Sequence, residues 1–289
     1  MANLFKAFLF RLRRDLTFRI TLFVGLGVAV VMTLIFLAID LGVRALSDEV
    51  DYNFMFCTGE NLLINSFSPG SNFGLAIPIN LITFIVLEFT QGTIRNKIIT
   101  GNSKTKIYFG LFLSGLVFTI LLMSAYCLLC FGFGSAIGRF HPHGYVMQGT
   151  STGYVSPDFL WKYIVLGVLA YVTIASITIF FATLFRSIGP CIPVVIMLIM
   201  ICYIGGTIAG TMNLLGELNS DIKTLVKVLQ FINPLHSLYA STSTTNMETG
   251  VTTLAISNEA FYCELGNNLI YTALFVTGGW LIFRKRDVK

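Results

Sequence analysis

Six long apolar runs constrain this chain more than any other feature: Ile20–Leu41, Phe73–Phe89, Ile107–Ile137, Tyr163–Phe185, Pro190–Met212 and Leu265–Phe283. A helix needs about 20 such residues to cross the hydrocarbon core of a bilayer. There it must satisfy its own N–H and C=O groups, because no water is present to do so. The 289 residues are 55% hydrophobic and 11% charged. Ordinary soluble domains carry about 25% charged residues, so a water-soluble core is excluded. The expected fold class is an all-α polytopic membrane protein, one transmembrane domain over residues 1–289 with six transmembrane helices. The second run is short and holds Pro78, so its start is expected to be broken or re-entrant. The third is longer than one crossing needs, which implies tilt or an extension past the bilayer. The first run is too long for a signal-peptide core and no small-residue cleavage site follows it, so it is expected to be retained.

Orientation follows the distribution of Lys and Arg. With both termini in the cytoplasm, 14 of the 19 basic residues lie inside and 5 outside: Arg44, Arg139, Lys162, Lys223 and Lys227. The acidic residues split the other way, with Asp15, Glu88 and Asp287 inside. The expected location is therefore the plasma membrane, multi-pass, with both ends cytoplasmic. Residues 1–19 contain "NLFKAFLFRLRRDLTFR", in which Leu4, Phe5, Phe8, Leu9, Leu12 and Leu16 recur at helical spacing beside Lys6, Arg13 and Arg14. A basic amphipathic helix of this kind lies along the inner membrane surface, where each cation near anionic lipid contributes about 1 kcal/mol.

The expected outer loops are Val43–Asn72, Gly138–Lys162 and Asn213–Glu264. In the last, Leu225, Val228, Leu229 and Ile232 share one helical face ahead of Pro234, which predicts an amphipathic helix. Whether it lies on the surface or dips back into the protein stays open. Cys127, Cys130, Cys191 and Cys202 fall in apolar runs and read as small fillers. Cys57 and Cys263 fall in polar loops, where a pairing is open. "HPH" (His141–His143) has two histidines and no third ligand, so it reads as plain loop, and His236 beside Pro234 reads the same way. Gly134 and Gly138, and Gly206 and Gly210, have the four-residue spacing of close helix packing. The span interiors carry essentially no ionisable residue, with Asp40 and Glu88 at their ends, so an ion-coupled pump is disfavoured. No phosphate-binding loop G-x-x-x-x-G-K-[ST] occurs, no metal or cofactor site is expected, and the basic residues form no nucleic-acid face.

One polar stretch interrupts this pattern, "LEFTQGTIRNKIITGNSKTKIYFG", residues 87–110. A glutamate closes a hydrophobic run, Gly92 permits a sharp bend, and basic residues follow. Glu88 is placed to cap the next turn or to pair with Arg95. This stretch resembles the first cytoplasmic loop of permease subunits of type 2 ATP-binding-cassette (ABC) exporters. In that family a glutamate ends the second span, G-T-[IL]-[RK] follows, and a basic N-K-[LI] runs on to G-x-[ST]-[RK]. The matching residues here are Glu88, Gly92, Thr93, Ile94, Arg95, Asn96, Lys97, Gly101, Ser103 and Lys104. The amphipathic amino-terminal helix, the six spans, the long last outer loop and the "FRKRDVK" end fit the same plan. The short second span and the large first outer loop depart from it.

The resemblance implies that residues 90–106 form a coupling loop that docks on a separate ATPase subunit. ATP would be bound there and not by this chain. It further implies a second permease copy or a homologous permease, contact with membrane lipids, and an amphipathic or hydrophobic substrate such as a peptide, toxin or drug. Two other classes stand beside it: a peptide-sensing or immunity membrane protein without transport, and a membrane-embedded enzyme. The enzyme would need paired polar catalytic groups at a reachable depth, and the sequence shows none.

Overall fold

In the computed structural model of the protein, the residues described are 16–46, 56–67, 73–138, 145–147, 151–155, 158–216, 230–239, 242–245 and 252–286, with 7, 10, 11, 14, 224 and 228. Among the described residues, eight helices carry the chain: α1 (Leu16–Leu46), α2 (Gly59–Ser66), α3 (Ala76–Thr90), α4 (Thr93–Ile99), α5 (Lys104–Gly138), α6 (Phe159–Phe185), α7 (Ile188–Gly216) and α8 (Asn258–Lys285). Two short 3₁₀ turns join them, η1 (Phe73–Leu75) and η2 (His236–Tyr239). Among the described residues, four helices lying within α1, α5, α6 and α7 are long and apolar enough to cross a membrane, and α3 with α4 makes a fifth candidate if a bend of 52° is counted within one span. The protein is a membrane-embedded helical bundle.

Hydroxyls inside the long helices find partners within their own helix. Thr21, Thr33, Ser114, Thr119, Ser176 and Thr178 donate to carbonyls three or four residues earlier, which removes the cost of carrying a polar group into hydrocarbon. Pro78 does not break α3. It sits in the first turn, where an α-helix has no use for the missing N–H. The last predicted span is embedded in a longer element. Ser257 caps α8 by accepting from the Ala260 N–H at 3.1 Å, so the helix begins ahead of Leu265 and takes Glu264, Asn267 and Asn268 into its early turns. At 28 residues it is about 42 Å long, but its first half is polar.

The core lies where α6 meets α3, α5 and α8, around Phe84, Phe118, Leu166, Tyr171 and Ile174. Phe84 and Phe118 stack at 5.5 Å. By contrast α1 and α7 leave much of their apolar surface outward, as at Phe23, Val31, Met197 and Ile201, the surface that lipid covers. At one end of the bundle α2 lies against the last turns of α5. The Asp40 carboxylate, fully buried near the end of α1, accepts the N–H groups of Phe56 (3.0 Å) and Cys57 (2.6 Å) and fixes the approach to α2. Gly134 allows that contact: a Cβ there would stand 2.7 Å from the Thr58 carbonyl. Its small size serves a helix start rather than a second spanning helix.

The same end carries a four-stranded sheet of order β1-β2-β4-β3, a departure from an all-α chain among the described residues. Its strands are β1 (Tyr145–Met147), β2 (Ser151–Val155), β3 (Thr242–Thr245) and β4 (Thr252–Ala255). β1–β2 and β3–β4 pair antiparallel, and β2 pairs with β4 in parallel, Val155 opposite Leu254. The sheet thus joins the loop after α5 to the loop before α8.

Several sequence expectations are corrected. Cys57 is buried and Cys263 exposed, both as free thiols, and Cys57 Sγ points to the Thr33 carbonyl at 3.8 Å, so the two do not pair. His236 is no plain loop residue, being buried against Glu264. His141–His143 lie outside the described residues. Of the predicted outer-loop helix, residues 224, 228 and 230–232 are helical, and Val228, Phe231 and Ile232 face outward. Leu225 and Leu229 lie outside the described residues, as does most of 1–15, where residues 7, 10, 11 and 14 are helical.

Candidate functional site

The polar stretch folds into an elbow. α3 ends at Thr90, Gly92 adopts a left-handed backbone with φ +67°, and α4 leaves at 52° to α3. A residue with a Cβ pays a steric cost for that φ, which glycine avoids. A second left-handed glycine, Gly101 at φ +87°, ends α4, and α5 starts at Lys104. There the Ser103 hydroxyl accepts from the Lys106 N–H at 3.4 Å, the role of an N-cap side chain.

Glu88 sits inside the elbow and is 1% exposed. A carboxylate buried that far needs charge and hydrogen bonds around it. Lys97, on α4, brings its ammonium to 2.8 Å from Oε2. Arg11 pairs with Oε1. The Thr93 hydroxyl donates to the same carboxylate and lies 2.8 Å from the Glu88 carbonyl. The Arg11 guanidinium also lies over the Phe84 ring, 5.5 Å from its centre, a favourable cation–π placement. Glu88 therefore binds three segments: the amino-terminal helix, the end of α3 and the whole of α4.

Of the residues named from sequence, Glu88, Gly92, Thr93 and Lys97 converge on this knot. Ile94 is fully buried and anchors α4 to the bundle. Arg95 and Asn96 are exposed on its outer side, so the expected Glu88–Arg95 pair is not formed; Lys97 and Arg11 take that place. Ile99 is an outward apolar residue, 71% exposed. Lys104 serves another contact: its ammonium reaches the carbonyls of Arg284 (3.4 Å) and Arg286 (3.0 Å) at the end of α8, where cations are favoured. Trp280 Nε1 donates to Thr105 Oγ1 at 3.2 Å beside it. The outer side of α4 is thus a small platform of Arg95, Asn96, Ile99 and Thr100 held by a buried charge knot.

Sequence reasoning missed Arg11, and as a partner for Glu88 it offered Arg95 where Lys97 pairs. The signal for Lys97 was weak, because it lies nine residues from Glu88, a separation that no continuous helix brings to one face. The left-handed turn at Gly92 resets that geometry. Arg11 carried no local signal at all.

Elsewhere, an apolar groove of about 410 Å³ opens between α2, α5 and α6, lined by Leu63, Phe67, Met123, Cys127, Ile164 and Val168. Among the described residues no group of three His, Cys, Asp or Glu side chains stands close enough to hold a metal.

Fold and site define a membrane-embedded helical protein with a basic, charge-locked elbow at one end. The chain belongs to the family described as protein of unknown function (DUF2705), whose model matches residues 34–289. No curated protein and no solved structure matches it.

Proposed function

We propose that this protein is the permease subunit of an ATP-driven exporter of the type 2 ABC class. In this reading it crosses the plasma membrane six times, with α3–α4 and α8 completing the set, and keeps both termini in the cytoplasm. A separate ATPase subunit binds and hydrolyses ATP, and the chain works beside a second permease copy or a homologous one. The observation that carries the reading is the elbow. A short helix set across the bundle end on a buried Glu88–Lys97–Arg11 knot transmits a push into α3 and the amino-terminal helix together. Its exposed Arg95, Asn96, Ile99 and Thr100 suit a groove on a protein partner. A loop that served only to place positive charge on one side would need neither the buried carboxylate nor the left-handed glycine.

The cargo is amphipathic or hydrophobic. The apolar groove between α2, α5 and α6 supports this, since it offers apolar contact and little else. Two measurements test the function. Tagged chain purified from its own host's membranes should bring down a nucleotide-binding subunit, and Arg95→Glu with Ile99→Asp should lose that subunit while the bundle stays folded. The purified chain alone should hydrolyse ATP at background rate. Robust hydrolysis by the isolated polypeptide, or recovery of the subunit undiminished by the double variant, would overturn the proposal.

A further inference from the structure

The apolar groove between α2, α5 and α6 is built from three faces. Leu160, Ile164 and Val168 recur at helical spacing along α6, and Met123, Cys127 and Phe131 do the same along α5. Each row is about 12 Å long at the rise of an α-helix. Leu63 and Phe67, at the end of α2, close the back. That floor is fixed in place. The Phe67 ring packs edge-on to Tyr163 with centres 5.8 Å apart, and the Tyr163 hydroxyl donates to the Ile64 carbonyl at 3.3 Å. Gly167 leaves room for the Phe67 ring, which a Cβ there would approach to 2.3 Å. The groove is therefore preformed.

The two polar side chains in its lining, Ser124 and Cys127, are already engaged. The Ser124 hydroxyl donates to the Leu121 carbonyl at 3.2 Å, and the Ser66 hydroxyl lies 3.1 Å from Cys127 Sγ. A water held in a cavity needs about two to four polar partners, so about 410 Å³ lined in this way is space for hydrocarbon. The groove is also continuous with the lipid-facing surface. Leu128 lines it and is 69% exposed, and Leu121 and Val165 stand outward on the same two helices, both long and apolar enough to cross a membrane. Trp161, at the start of α6, is exposed and packs edge-on against Phe261 of α8, which precedes the exposed Tyr262. Trp and Tyr gather where a membrane meets water. From Trp161, Ile164 and Val168 lie about 5 and 10 Å further along α6, within the roughly 15 Å of hydrocarbon that belongs to one leaflet.

We propose that this groove is a binding site for one acyl chain of a bilayer lipid. The acyl chain enters from the side, past Leu128, and lies lengthwise between α5 and α6 with α2 behind it. Its head group stays at the level of Trp161. The match in length and the unbroken path to the lipid-covered surface carry the assignment: a groove about 12 Å long suits a chain that crosses about 15 Å of one leaflet. A charged ligand would find no counter-charge in this lining. An acyl chain seated here is touched on three sides, where one lying on an open helix face is touched on one, so dispersion contacts favour the groove over bulk lipid. The inference concerns the bilayer alone and holds whether or not the protein is an exporter.

The test is photocrosslinking of the full chain in nanodiscs of phosphatidylcholine, with a small share of phosphatidylcholine that carries a diazirine in one acyl chain. Adducts are mapped by peptide mass spectrometry. Those on Met123, Cys127, Ile164 and Val168 should be about threefold more frequent than those on Met197 and Ile201, which lie on the outward face of α7, in keeping with contact on three sides against one. Ile164→Trp, which fills the groove with a larger side chain, should bring the groove adducts down to the α7 level and leave the α7 adducts unchanged. Groove adducts no more frequent than those on α7 overturn the proposal, and so do groove adducts that survive Ile164→Trp in full. A groove without lipid adducts, in a protein whose Leu128→Cys variant forms disulfide-linked dimers, would assign the groove to a second copy and overturn it too. The wild-type comparison stands by itself if Ile164→Trp fails to fold.

Discussion

Lys97 reaches back across the Gly92 bend to place its ammonium 2.8 Å from the Glu88 carboxylate, closing the elbow from inside. From sequence alone, neutralising Glu88 is expected to leave folding nearly intact, because the residue closes a span and would meet water. Burial reverses that expectation. Removing one member of a buried pair strands the other charges, at about 3–5 kcal/mol. Lys97 and Arg11 retain some solvent contact, so Glu88→Ala should cost about 3 kcal/mol, nearer the lower limit. Glu88→Gln should cost less, since it keeps an acceptor for Thr93. Thermal unfolding of the purified protein in detergent measures both.

Gly92 is a backbone requirement and not a packing one, since a Cβ there would meet nothing within 4 Å. Gly92→Ala should therefore cost about 1–2 kcal/mol, the strain of a left-handed backbone in an L-residue. Gly92→Asn should cost less, because asparagine tolerates that conformation better, and Gly92→Val should be the most damaging of the three. The ranking Asn, Ala, Val in melting temperature checks the cause; an equal loss in all three would point to packing instead.

Two other glycines are close-approach sites. A Cβ on Gly167 would stand 2.3 Å from the Phe67 ring, and one on Gly134 would stand 2.7 Å from the Thr58 carbonyl. Overpacking of this kind costs about 1–3 kcal/mol. Gly134→Ala should be at the upper end, because backbone cannot move aside as a ring can. Gly27→Ala is the control: nothing lies within 4 Å of its Cβ position, and the change should raise helix stability by up to about 1 kcal/mol. Unfolding midpoints of the three variants separate these outcomes.

Glu60, on α2 outside the spanning helices, is buried at 4% exposure, and burial raises its carboxyl from an ordinary 4.5 to about 7. A folded-state pKa above the unfolded one means that the native state holds the proton more tightly. That stability is complete below about 4.5 and is lost as the pH rises through about 7. Glu60→Gln keeps the shape of the protonated acid and cannot ionise. It should melt like wild type at low pH and above wild type at pH values past 7. A parallel pH dependence in both proteins would remove Glu60 from the account.

The body of the bundle was legible because lipid imposes a simple rule on a helix. Runs such as Tyr163–Phe185 match α6 within a turn. The last run was legible only in part: Glu264, Asn267 and Asn268 look like loop until Ser257 is seen to cap α8 ahead of them. The elbow could be read as a motif, with Gly92 named for the bend it makes, yet its locking partners could not. Lys97 becomes Glu88's neighbour only after the turn, and Arg11 only after the amino-terminal helix has folded against α3. The sheet was invisible for a related reason. Tyr145–Met147 and Thr252–Ala255 are too short to announce strands, and they acquire partners only through tertiary structure.

The parallel pairing of β2 with β4 carries a consequence for biogenesis. A hairpin such as β1–β2 can close as soon as it is made, but Val155 must wait for Leu254, and so for α6, α7 and the loop after them to be synthesised and threaded. Pairings between distant segments close late, because the loop entropy is met before the contacts form. The cap over this end of the bundle therefore forms last, and a chain truncated before β4 should leave Tyr145–Val155 open to proteases even when the helices behind it are fully inserted.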